Sequence, residues 1–427
     1  MIDKIKKIYS SDFVKNNLQL ISGTVIAQAI NFGFNIVLTR LYAPESWGVL
    51  SFFLISCSIF LVISSFKLDI NLITAKSEKE IKRLLNYSFT ITFVVSIITF
   101  IIFLVLKIFS NTSVKTLEWW WIVGYLVSTY LLSGRQILWM LALKYKLFSL
   151  QSRTLIGEAF IVNSIATLFF YFEDLGLFIG NFFSQLFGFL WLFINILKSK
   201  YYISLNDLKP KLLPIKLFKK ILFIQRHNII QGYIDLFQIY TFTLIFSNQM
   251  SVIGYYFLCI RVLQLPLRLI FGPISNVFFR TLFDKKLHSE SMKGFYLKVL
   301  FMCIALLVPI VLVIELYSNE LFQFVFGDEW LEAGKYAKIL IFWIGLDVIK
   351  TPMIQVFYLF KKQNILNVLS FCSVALTIIF LIYGKYNLSI TLVLQGMALI
   401  GALFSLIIIY TSFNIVNNYD NSLKAKN

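Results

Sequence analysis

A small set of ionisable side chains lies inside long apolar stretches of this chain, and these are the residues best placed to do chemistry. The cations are Arg135, Arg226, Arg261, Arg268, Lys338 and Lys350, and the anions are Glu158, Asp235 and Asp347. In the middle of a membrane helix an Arg, Lys or Asp costs ~2.5–3.5 kcal/mol on insertion scales, so such a group faces a wet cavity or a partner. The cations outnumber the anions, a balance that favours an anionic ligand. Lys338, Arg226 and Arg268 lie towards helix ends, where a long basic side chain can snorkel to the interface. Asp347 and Lys350 are three residues apart on one helical face, so the spacing fits a structural ion pair as well as a binding role. Arg135, Arg261 and Asp235 fall at mid-depth, each either lining a cavity or joining helices as an ion pair.

Two polar stripes accompany these charges. Gln28, Asn31 and Asn35 recur at helical spacing, as do Asn228, Gln231, Asp235 and Gln238 about 200 residues later. For the first stripe, cavity lining and interhelical hydrogen bonding are equally good readings, since amides commonly join membrane helices. Asp235 tips the second towards lining. A carboxylate there, raised in pKa by desolvation and lowered by a neighbouring arginine, would be poised for ion coupling. A permanent Asp235–Arg261 pair is the plain alternative. Glu158 and Asp347 are the further coupling candidates. Trp119, Trp120 and Trp121 read as an interfacial belt.

Enzyme chemistry is not visible. No catalytic residue and no cofactor are expected. No G-x-x-x-x-G-K-[ST] loop is present for ATP. With His227 and His288 as the only histidines, no metal site is expected. Cys57, Cys259, Cys303 and Cys372 all sit in apolar runs, so no disulfide framework is implied.

The elements that carry these residues follow from composition. The chain has 427 residues, 59% hydrophobic and 14% charged, with a mean hydropathy of +0.80, far from the balance of a soluble domain. About twelve runs meet the ~20-residue length of a bilayer span. They lie near 18–39, 47–66, 84–106, 117–142, 154–172, 175–197, 219–246, 251–279, 295–317, 334–360, 363–384 and 388–413. The fold class is therefore an all-α polytopic membrane protein. The net charge of +18 does not imply nucleic acid, because the basic residues crowd into alternate loops. Lys79, Lys82 and Arg83 follow the second run, Lys144 and Lys146 the fourth, Lys285 and Lys286 the eighth, and Lys361 and Lys362 the tenth. The other loops carry Glu45, Glu173, Asp174, Asp328, Glu329 and Glu332. That asymmetry places both termini in the cytoplasm. Residues 1–17 show no leader-like cleavage site, and residues 8–17 suit a short surface helix.

The basic segment 198–220, with Pro210 and Pro214, falls at the midpoint and is expected to link two six-helix lobes, 1–200 and 201–427. Arg135 stands eleven residues before Lys146 and Lys350 eleven before Lys361, which puts one cation per lobe ~16 Å in from the same membrane face.

The turn Leu38-Thr39-Arg40-Leu41-Tyr42-Ala43-Pro44-Glu45-Ser46-Trp47-Gly48 resembles the first-loop signature of bacterial polysaccharide exporters, the Wzx-type flippases of oligosaccharide-lipids. Ile253-Gly254-Tyr255-Tyr256 with Arg261 and Pro266 is similar to their eighth-helix pattern, and Phe326-Gly327-Asp328-Glu329-Trp330 to their fifth external loop. The resemblance implies the fold of the multidrug/oligosaccharidyl-lipid/polysaccharide superfamily, with two six-helix bundles around a central cavity as in MATE transporters. It implies a bacterial inner-membrane protein that moves undecaprenyl-pyrophosphate-linked oligosaccharide units for O-antigen or capsule. Membrane lipid, a polysaccharide polymerase and chain-length proteins would be its partners. Arg135, Arg261, Lys350 and Arg226 match the pyrophosphate-holding role by type and depth, with Gln28, Asn31, Asn35 and Gln231 lining the path. Rival readings are a cation-coupled drug antiporter on the same fold and a membrane polymerase or ligase. The short, histidine-free external loops speak against the enzyme, and a lipid II flippase would carry two further spans.

Topology reporters that work only outside the cell should be active when fused after residues 43, 112, 174, 248, 325 and 386. Activity from a fusion at residue 205 would overturn the orientation.

Overall fold

The computed structural model describes residues 12–75, 77–109, 119–198 and 215–424. Among these residues there is no strand. The chain runs through α1 (Asp12–Leu41), α2 (Pro44–Ser64), a short α3 (Leu68–Thr74), α4 (Glu78–Phe109), α5 (Trp119–Lys144), α6 (Phe148–Leu168) and α7 (Asp174–Leu197). It continues with α8 (Ile215–Ile245), α9 (Met250–Leu287), α10 (Lys293–Phe326), α11 (Leu331–Leu359), α12 (Gln363–Asn387) and α13 (Ile390–Lys424). With α3 set aside, these helices correspond one to one with the twelve runs read from the sequence. Of the expected surface helix 8–17, residues 12–17 belong to α1 and 8–11 lie outside the described residues. Most of the basic midpoint segment and the side chains of Trp120, Trp121 and Asn228 lie outside them too.

Nine of the helices are long and apolar enough to cross a membrane by themselves, and α9 joins them if its two halves count as one span. Its bend of 43° falls at Pro266, whose ring removes an amide donor and crowds the preceding turn. The remaining two, α6 and α8, are rich in polar groups. α6 holds Gln151, Arg153, Glu158 and Asn163, and α8 has an apolar segment of only Ile229–Ile245. A helix of that composition is stable in a bilayer only if its polar groups find partners inside the protein.

By contacts the chain forms two compact units, Met1–Leu236 and Phe237–Asn427. The division falls inside α8, whereas the sequence reading set a lobe boundary in the segment before it. The first half of α8 packs within the first unit, where Gln225 donates to Asn71 (3.3 Å) and Gly232 sits against Val62. From Gln238 onwards it packs within the second, with Phe242 tilted against Tyr256 (centroids 4.5 Å).

In the first unit, α1 lies along α6. Gly23 meets Ser152, Asn163 donates to Asn31 (2.7 Å), and the Tyr42 hydroxyl donates to the Ala166 carbonyl (2.6 Å). Leu72, Leu85, Phe89, Ile137, Leu141 and Leu192 close a core between α3, α4, α5 and α7. In the second unit α11 is the central strut. It buries 61% of its apolar span, against 17% for α10, and Gly334, Gly345 and Gly401 let Ser318, Leu307 and Trp343 approach across its interfaces. Asp420 near the end of α13 accepts from Ser291 (2.5 Å) and from the amides of Met292 and Lys293, tying α13 to the start of α10.

The turns after the fourth and tenth spans are alike. Lys146 and Lys361 both take the left-handed conformation, at φ 56° and 55°. In each, the amide of the next residue reaches back to a carbonyl five residues earlier, Leu147 to Ala142 (2.9 Å) and Lys362 to Phe357 (2.8 Å), the pairing of a Schellman cap. Arg135 and Lys350 therefore stand the same eleven residues from the same kind of helix end.

Candidate functional site

Within the first unit the polar groups converge on α5. Arg135 grips Glu158 of α6 with a two-pronged fork, Nε to Oε1 and Nη2 to Oε2, the latter at 2.6 Å. A fork of two parallel N–H donors is the strongest form of carboxylate recognition, and it makes a mid-span arginine tolerable. Three neighbours hold the fork in place. The guanidinium lies over the Trp139 ring, 5.4 Å from its centroid. Ser184 of α7 donates to the Glu158 backbone carbonyl at 3.0 Å. Gly188, one turn further along α7, leaves space that the carboxylate fills, and a Cβ there would overlap Oε1. Nη1 of Arg135 stays outside the fork, and the pair retains 24% and 14% side-chain exposure, so it is not sealed off.

The next residue on α5, Gln136, donates to Asp69 Oδ2 (2.9 Å), and Ser65 donates to Oδ1 (2.5 Å). Asp69 is fully buried. It belongs to α3, which Lys144 closes by donating to the carbonyls of Ala75 (2.5 Å) and Ile73 (3.2 Å). Neither Asp69 nor Gln136 stood out in the sequence. Asp69 lies between two basic residues in a segment too short to span, so it read as loop.

The first polar stripe turns out to be divided. Asn31 is bonded to Asn163 and so joins α1 to α6. Asn35 is buried, and neither atom of its amide has a hydrogen-bond partner among the described residues; the same holds for Gln28 Oε1. On α8, Gln231 donates to Asp235 at 2.7 Å, one turn along the same face. Arg226 is exposed, with its guanidinium 4.3 Å from the Phe223 ring centroid.

Within the second unit Lys350 is buried and ion-paired with Asp347 one turn earlier on α11. Gln238 of α8 reaches the same Asp347 oxygen at 3.4 Å. The structural reading of this pair and the binding reading stay compatible, because Asp347 is one-third exposed. Arg261 lies half-buried on α9, five residues before the Pro266 bend. Lys338 is a loose partner of Glu315, at 3.5 Å.

Arg135, Lys350 and Lys338 thus each meet a carboxylate of their own unit. No group of three or more metal-type ligands occurs among the described residues.

The sequence pattern of the family described as "Polysaccharide biosynthesis protein" matches residues 37–335, more than half of the chain. The chain belongs to that family. The resemblance carried by residues 38–48, 253–266 and 326–334 points to the same family. No similar protein was found among the curated ones. The fold is that of the MOP superfamily transporters. The chain is similar to the lipid II flippase MurJ in an inward closed conformation (TM-score 0.67, 14% identity, covering 96% of this chain and 92% of that one). It is also similar to a MOP superfamily transporter from Pyrococcus furiosus, described as having a binding pocket of reverse polarity (TM-score 0.62, 11% identity, 95% of each chain). An inward-facing multidrug resistance MATE family transporter matches at TM-score 0.58 and 11% identity, over 94% of this chain and 96% of that one. At these identities the likeness concerns the fold alone.

Removing one member of a buried ion pair leaves a bare charge, at a cost of ~3–5 kcal/mol when burial is complete and less at partial exposure. Arg135→Ala should therefore lower the melting temperature of the purified protein, and Arg135→Ala with Glu158→Ala should recover most of the loss. An Arg135→Ala variant that melts like the wild type would show that the fork contributes nothing.

Proposed function

We propose that this protein flips undecaprenyl-pyrophosphate-linked oligosaccharide repeat units from the cytoplasmic to the outer leaflet, for O-antigen or capsular polysaccharide synthesis. The reading rests on one observation: a chain of a polysaccharide biosynthesis family is built on a transporter and flippase fold. In this reading the protein sits in the bacterial inner membrane with both termini cytoplasmic, and no step of bond chemistry is assigned to it. A diphosphate is a compact polyanion, and the cations that serve it are Arg135, Lys350, Arg261 and Arg226. Glu158 and Asp347 act as resident counter-ions. They keep Arg135 and Lys350 neutralised when no substrate is bound, and they yield to the stronger charge of the diphosphate. Gln28, Asn31, Asn35 and Gln231 supply amides for sugar hydroxyls. Asp235, exposed on α8 beside Gln231, is the group we assign to proton coupling, because it changes charge without breaking either of the two ion pairs.

A cation-coupled drug antiporter on the same fold is the second reading, favoured by Asp69, a buried carboxylate that accepts from the neutral donors Ser65 and Gln136. Among the described residues, no structural feature favours a membrane polymerase or ligase.

In a strain whose own copy is removed, the wild-type gene should restore surface polysaccharide, whereas Arg261→Ala and Lys350→Ala should not, with both variants still in the membrane. Arg261→Lys should restore only part, since an ammonium lacks the fork. Normal polysaccharide in both alanine variants would take these residues out of the site. In reconstituted vesicles, Asp235→Asn should remove the response of flipping to a proton gradient and leave slow exchange; a wild-type response would pass the coupling role to Glu158.

A further inference from the structure

Away from the ion pairs, the second unit carries a groove of about 530 Å³ between α10, α11 and α13. Its two ends differ in chemistry. One end holds Glu315, Lys335, Lys338 and Gln395, and the other is walled by Phe342, Leu399 and Ala402. Phe342 is 53% and Leu399 62% exposed, and α10 buries little of its apolar surface, so the groove opens on a face that a bilayer covers.

Depth along the helices gives the orientation. The residues from Val299 to Ile314 are all apolar, a rise of ~24 Å, and Glu315 is the first charge after them. Lys338 likewise stands immediately before the apolar run of α11. The polar end therefore sits at headgroup level and the apolar end at acyl-chain level.

Charge selects the occupant. Glu315 and Lys338 face one another at 3.5 Å, longer than the 2.7–2.9 Å of a closed charge-assisted bond. The second carboxylate oxygen of Glu315 is buried, with no hydrogen-bond partner among the described residues. Lys338 is the ammonium nearest to that carboxylate, while Lys335, also on the rim, is paired with Glu332, so the rim carries both signs. A purely anionic headgroup would satisfy Lys338 and oppose the glutamate. A headgroup with a phosphate and a primary amine satisfies both, the amine donating to Glu315 and the phosphate accepting from Lys338.

We propose that this groove is a binding site for an amine-bearing membrane phospholipid of the phosphatidylethanolamine type, with its acyl chain along Phe342, Leu399 and Ala402. The site is independent of what the protein transports.

The test is native mass spectrometry of the full chain, released from vesicles containing equal parts phosphatidylethanolamine, phosphatidylglycerol and phosphatidylcholine. Wild type should retain phosphatidylethanolamine over the other two by about threefold to tenfold, the ratio that roughly one added charge-assisted hydrogen bond gives at a half-exposed site. Glu315→Gln should bring that ratio to parity, and Lys338→Gln should reduce retention of all three lipids. Phosphatidylglycerol retained as well as phosphatidylethanolamine by wild type would overturn the proposal and point to a general anion site. An undiminished preference in Glu315→Gln would overturn it too. Should that variant fail to fold, the wild-type ratio alone still decides.

Discussion

The structure depends on one constraint: a charge placed in the hydrocarbon must be answered inside the protein. α6 and α8 fall short of the apolar content that lets the other helices stand alone in a bilayer, and α6 carries Glu158 in its middle. The Arg135–Glu158 fork answers that charge, and much of the first unit is arranged around it. Gly188 is small so that the carboxylate fits, Ser184 fixes the backbone behind it, and Trp139 covers the guanidinium. The same logic, with a smaller cast, holds Lys350 to Asp347 on the central helix of the second unit.

An ion pair that only neutralises is weak evidence for stability, since an apolar pair of equal size would commonly serve as well. What the charged version adds is exchangeability. A resident carboxylate can be traded for a stronger anion with little change in net burial of charge, whereas a leucine cannot. Two such pairs stand at matching distances from two Schellman caps of the same geometry, at Lys146 and Lys361. The units are therefore alike in where they put one charge relative to a helix end.

Much of this was legible in the sequence, and the exceptions are instructive. The twelve long helices were legible because span length is set by the bilayer, and even polar α6 and α8 kept enough apolar residues to show in the sequence. The Asp347–Lys350 contact was legible because helical spacing alone brings residues three apart together. The Arg135–Glu158 fork was not, since its partners lie on different helices across a turn, and charge type alone left Glu158 as a coupling candidate without a mate. Asn31 shows the same gap: spacing placed it on a stripe, but only tertiary structure reveals Asn163 opposite. Asp69 escaped notice because a seven-residue helix beside lysines looks like a loop, and its burial comes from packing against α4 and α5. Glu315 and Lys338 read as ordinary interfacial charges until α13 supplied the third wall of their groove.

The central claim is that the exchangeable charges serve a lipid-linked diphosphate. The most direct measurement is transbilayer movement in vesicles containing the purified protein and a diphosphate-linked polyprenyl oligosaccharide, scored by access of an impermeant sugar oxidant. Protein-dependent exposure of the inner-leaflet pool, slowed by excess soluble diphosphate ester, is the expected result. No movement of that lipid, together with gradient-driven uptake of a cationic dye by the same vesicles, would contradict it.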